Sequence, residues 1–215
     1  MAVVVILAGL GVLLANQTNK PWPPSGNVPA AATSGSRSTQ PAANETPPAA
    51  AALAACHAVW AAQSAALQAA QRSMRQWQVH VGAMNQLVSG KITLAQASAF
   101  WARTRVGAAH RVRVFERADR SRKAVSQHCA PVAGGTATPT IAACMHGIQA
   151  RDNTLAAAER AINTWNGHIA DMEMLRTGKM SPTMASQMWI KSWHRGQRQI
   201  DDYQAMARQV QGMHC

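Results

Sequence analysis

The chain has 215 residues, enough for one or two domains, with 21 Lys and Arg against nine Asp and Glu and a formal net charge of +12. Acids this few and this scattered exclude a convincing carboxylate catalytic pair. The basic excess points instead to anionic partners such as lipid head groups, acidic cell-wall polymer or nucleic acid. With one Tyr and two Phe against seven Trp and eleven Met, Trp, Met and Ala must fill much of the core.

Residues 1–15 contain an unbroken apolar run from Ala2 to Ala15. It is shorter than the roughly 20 residues of a comfortable transmembrane helix and matches the apolar region of a signal peptide or anchor. No Lys or Arg precedes it, Lys20 follows it, and no clear small-x-small cleavage site is present. A start upstream, carrying the missing basic region, reconciles these features. Residues 16–50 are rich in Pro, Ser, Thr, Asn and Ala, and read as a disordered tether. The expected location is extracytoplasmic, periplasmic or at the cell surface, as a membrane-anchored or secreted protein.

Beyond the tether the chain repeats itself. Trp77, His80, Met84, Leu87, Gly90, Lys91 and Trp101 recur 88 residues later as Trp165, His168, Met172, Leu175, Gly178, Lys179 and Trp189. Cys56 and Cys144 obey the same offset, as do Val112 with Ile200 and Phe115 with Tyr203. An internal duplication fixes the building block of a fold. The predicted units are residues 51–129 and 140–215, joined by a linker over 130–139.

Each unit reads as helix, tight turn, helix. Leu53, Cys56, Trp60, Leu67, Met74, Trp77, Val81 and Met84 step by three and four, and Ile141, Cys144, Ile148, Leu155, Ile162, Trp165, Ile169 and Met172 repeat the stripe. Gln63 and Arg151 interrupt it at equivalent places. Gly90 and Gly178 are stop signals, and Thr93 with Gln96 and Ser181 with Pro182 are restart signals. Arms of nearly equal length on either side of each turn predict disulfides Cys56–Cys129 and Cys144–Cys215 at the open end, which agrees with an oxidising compartment. The expected fold is all-α: two tandem antiparallel hairpins, each closed by a disulfide, packed as an up-down-up-down four-helix bundle. Loosely joined hairpins or a swapped dimer are the structural alternatives.

Three groups of residues are candidates for function. His80 with Met84 and His168 with Met172 are i,i+4 pairs on one face in both copies. Core histidines bonded to Trp, carbonyl or water are the simpler reading. Convergence on one site is the sharper one, because imidazole with thioether suits copper or a haem iron. Covalent c-type haem is excluded, since no Cys-x-x-Cys-His occurs. The pairs Cys56-His57 with His128-Cys129, and Cys144, His146 with His214-Cys215, also raise zinc, against which disulfides are the stronger reading. Finally, Arg103, Arg105, Arg111, Arg113, Arg117, Arg120, Arg122 and Lys123 face only Glu116 and Asp119. They form either a solvated face or a docking surface for anionic lipid or wall polymer, with nucleic acid the less favoured partner.

No serine elbow, zinc-protease pattern or phosphate loop is visible. The expectation is a non-enzymatic, cofactor-free binding or structural protein, membrane-tethered through its N-terminus, acting at an anionic envelope surface or on a protein partner. The alternative is a copper- or haem-binding bundle using His80, Met84, His168 and Met172.

Overall fold

The structure, a computed structural model, describes residues 47–215. The expected signal or anchor and most of the expected tether lie outside the described residues. The described chain is an all-helical bundle with two disulfides: α1 Pro47–Val88, α2 Leu94–Arg105, α3 Ala108–Lys123, α4 Pro139–Arg176 and α5 Pro182–Gln209.

Local chemistry sets the turns. At the first, Gly90 adopts φ 71°, Lys91 N–H donates to Gln86 O at 2.8 Å and Gly90 N–H donates to Leu87 O. The second turn repeats this bond for bond, with Gly178 at φ 71° and Lys179 N–H on Met174 O at 2.8 Å. Both are Schellman-type stops that use the left-handed conformation open to glycine. Thr93 and Gln96 then form a reciprocal capping box for α2. Thr138 and Ser181 cap α4 and α5, each followed by Pro at the first helical position.

The predicted four-helix up-down-up-down bundle is incorrect in two respects. First, there are five helices, because the return arm of the first unit breaks at Val106-Gly107, where Gly107 has φ 68°. The break frees carbonyls that must find donors. Gln76 Nε2 of α1 supplies both Thr104 O and Val106 O, and Arg111 Nη1 adds a second bond to Val106 O at 3.0 Å. The residue equivalent to Gln76 in the second copy is Thr164, which bonds its own helix at Arg160 O, and α5 runs unbroken.

Second, α1 packs directly on α4, and α1 touches every other helix. In a square up-down-up-down bundle the parallel helices sit on the diagonal. Here the parallel pair forms the central seam, with α2 and α3 on one side and α5 on the other. Trp77 stacks on Trp165 with ring centroids 4.6 Å apart, so residues 88 apart meet their own copies across a pseudo-twofold axis. Even the polar interruptions obey it. Gln63 Nε2 donates to Ile148 O, and its counterpart Arg151 donates through Nη1 to Trp60 O, the equivalent of Ile148.

The units are interlocked rather than loosely joined. A Cβ on Gly196 of α5 would fall against the Trp77 ring of α1, and one on Gly147 of α4 would fall 2.7 Å from the Trp60 ring. The closing arms also end differently from the continuous helices expected. α3 stops at Lys123 and α5 at Gln209, and short non-helical segments carry Cys129 and Cys215 back to the buried Cys56 and Cys144.

One described helix, Pro48–Val88, is long and apolar enough to cross a membrane by length and composition, which is consistent with an apolar anchor or signal near the N-terminus. Its inner face is nevertheless committed to the bundle through Cys56, Gln63, Trp77 and His80, all buried.

Candidate functional site

The pseudo-twofold axis brings His80 and His168 together. Both are 6 % exposed, and their Nε2 atoms lie 3.1 Å apart. Each ring's other nitrogen faces a hydroxyl on the neighbouring return helix: His80 Nδ1 meets Thr104 Oγ1 at 2.8 Å, and His168 Nδ1 meets Ser192 Oγ at 3.0 Å. These hydroxyls are again 88 residues apart. Thr104 donates to Phe100 O at 2.9 Å and Ser192 to Trp189 O at 3.0 Å. A hydroxyl has one proton. If both protons go to helix carbonyls, the oxygens accept from Nδ1–H of each histidine and both Nε2 lone pairs face one another; in the other tautomer of one ring, its Nε2–H donates to the second Nε2.

Burial keeps both rings neutral. It lowers the pKa of His168 to about 4, and it lowers that of His80 well below the usual histidine value, with His168 nearby adding to the shift. An unfolded histidine takes a proton near pH 6.5, before the folded one does, so protons favour the unfolded chain and stability falls as pH drops from 6.5 toward 4. His168 alone should remove about 3 kcal/mol over this range in the metal-free protein. Denaturant unfolding at pH 7 and pH 4 checks this. His168→Asn should flatten the dependence by about that amount, and an unchanged slope would show that the histidine is not its source.

His80, Met84, His168 and Met172 all line one cavity of about 70 Å³. Trp101, Trp189 and Arg105 complete its mouth and walls. The structure therefore collects the four residues proposed from the sequence into one place. The volume holds roughly five waters and not a macrocycle, which argues against haem. Two imidazole nitrogens 3.1 Å apart subtend about 100° at an ion bound at about 2.0–2.1 Å, close to a tetrahedral angle. Thr104 and Ser192 were not singled out from the sequence. Their signal was available, since each lies three residues after a repeated Trp and both carry a hydroxyl.

A second grouping lies at the opposite end. His57 of α1, Cys144 and Cys215 place three potential ligand atoms within 4.8 Å of one another, an arrangement that could hold a metal ion. Cys144 and Cys215 are bonded to each other, however, and thiolate is the form that ligates metals. This trio becomes a metal site only after two-electron reduction.

The basic residues do not act as one surface. Arg122 bridges Asp119 and Asp152, Lys123 bridges Asp119 and Glu159, and Arg103 lies over the Phe100 ring. Arg111 is spent on the helix break, and Arg105 lines the histidine cavity. Arg113, Arg117 and Arg120 point outward with no partner among the described residues. Of the acids beside His168, Glu173 is exposed and paired with Arg176, and burial raises the pKa of Asp171.

Comparison with protein-family models, curated proteins and solved structures finds no match.

Proposed function

We propose that this is an extracytoplasmic, membrane-tethered binding protein for a soft monovalent metal ion, copper(I), held by His80 and His168 with Met84 and Met172. The observation that carries this reading is the 3.1 Å Nε2 pair, whose Nδ1 atoms are both engaged by hydroxyls. In the tautomer that leaves both Nε2 atoms unprotonated, two lone pairs at that separation are arranged to share a cation. A partner on the far nitrogen is also what orients a ligating histidine. The donor set selects the ion. Imidazole with thioether is soft, and the cost of burying a charge rises with its square, so an uncharged cavity beside Arg105 favours a monovalent ion.

The test is copper(I) titration of the oxidised full chain against a competing chelator. One ion per chain is expected, with at least 100-fold weaker binding in His80→Ala/His168→Ala. Met84→Leu/Met172→Leu should weaken copper(I) more than zinc. His57→Ala should bind as the parent does, and loss there would move the site to the cysteine end. Undiminished binding in the double-histidine variant, or none in the parent at micromolar copper(I), would sink the reading. It would leave a neutral pair in which one Nε2–H donates to the other ring.

A further inference from the structure

The duplication supplies an internal control for the charge of the return helices. α2 and α3 together do for the first unit what α5 does for the second, and the two arms share buried positions: Val112 with Ile200, Phe115 with Tyr203, Ala108 with Gly196. Their charges differ. α2 and α3 carry eight basic and two acidic side chains, and α5 carries four and two. Of the excess, Arg111, Arg122 and Lys123 are engaged within the bundle, whereas Arg113 and Arg117 are not. Part of the difference lies on the outer face of α3, where His110, Arg113, Arg117 and Arg120 are all exposed and where Arg113 and Arg117 stand in place of an acid and an alanine. The equivalent positions on α5 are Arg198, Asp201, Ala205 and Arg208.

We infer that this stripe of α3 docks the bundle on an anionic lipid bilayer. Arg113, Arg117 and Arg120 stand at i, i+4 and i+7, a straight row about 10 Å long on a single convex helix. Guanidinium forks match phosphate oxygens. A convex row without a pocket suits a planar array of head groups rather than one shaped ligand. Nucleic acid would call for stacking aromatics on this face. Phe115 is buried, and Phe100 is covered by Arg103. The topology also orients the stripe toward a tether. Arg120 is nine residues from Cys129, whose partner Cys56 is nine residues from the start of α1. The stripe thus lies in the half of the bundle where the N-terminal segment, with its apolar run, enters.

The experiment compares the partition of the full chain onto phosphatidylglycerol/phosphatidylcholine vesicles with that onto pure phosphatidylcholine, which cancels insertion of the apolar N-terminus. The parent should prefer the anionic vesicles, and added salt should erase the preference. Arg113→Gln/Arg117→Gln/Arg120→Gln should reduce the preference by about 100-fold with an unchanged thermal melt. Arg198→Gln/Arg208→Gln on α5 should retain it. A triple variant that keeps the preference, or a parent that has none, overturns the assignment. So does a parent indifferent to the vesicles that binds a short DNA duplex through the same arginines.

Discussion

Replacing Cys144 and Cys215 together with alanine is expected to lower the unfolding free energy by about 4 kcal/mol, and replacing Cys56 and Cys129 should cost nearly the same. The reason is chain entropy. The bonds join residues 71 and 73 apart, so each restricts the unfolded chain to the same degree. Alanine is the appropriate replacement because Cys56 and Cys144 are wholly buried, where a serine hydroxyl would add its own desolvation cost. A domain of this size is typically stable by about 5–15 kcal/mol, so losing both bonds should leave it marginal. Guanidinium unfolding of the paired variants measures this. A loss below about 1 kcal/mol in either pair would mean that packing at the open end already holds the arms together.

Trp77→Ala should cost about 3–5 kcal/mol, and Trp165→Ala a similar amount. Both rings are essentially inaccessible, at 1 % and 0 % exposure, and they stack on one another at the pseudo-twofold axis. Trp77 also fills the space above Gly196 of α5, so its removal opens a void between three helices. The double variant should be less destabilised than the sum of the singles, with about 0.5–1.5 kcal/mol of coupling from the stacked pair. Neither indole N–H has a partner among the described residues, so Trp77→Phe loses ring volume but no hydrogen bond. It should therefore be much milder than alanine. Chemical denaturation of the cycle decides, and a loss under about 1.5 kcal/mol for the alanine variants would show that the seam collapses around the gap.

What was legible from the amino acids follows from this geometry. The turns could be read because their causes are local: a glycine in the left-handed region, a Thr or Ser at the cap, a Pro after it. The convergence of His80 with His168 was available because the 88-residue offset implies an axis, and residues near an axis meet their copies. The arrangement of the helices was not legible. A stripe of apolar residues says that a helix buries one face, and is silent on whether its neighbour runs parallel or antiparallel. The break at Val106-Gly107 depends on Gln76, 30 residues away, meeting carbonyls that only the folded arm presents. The dispersal of the basic residues was hidden for the same reason, because Asp152 and Glu159 reach Arg122 and Lys123 from another helix.

The seam in which Trp77 and His80 meet their own copies has a consequence for how the two halves depend on each other. Such an interface is isologous, the kind that joins two identical subunits. A lone hairpin would expose Trp, His and Met along its whole inner edge, and a second hairpin is what covers them. The two halves are thus arranged as the subunits of a homodimer would be, within one polypeptide. Two halves within one chain, unlike two copies of one subunit, need not be identical. The shared edge, where Trp77 meets Trp165, is matched, while the outer flanks differ, with Arg113 on one half at the position that Asp201 holds on the other.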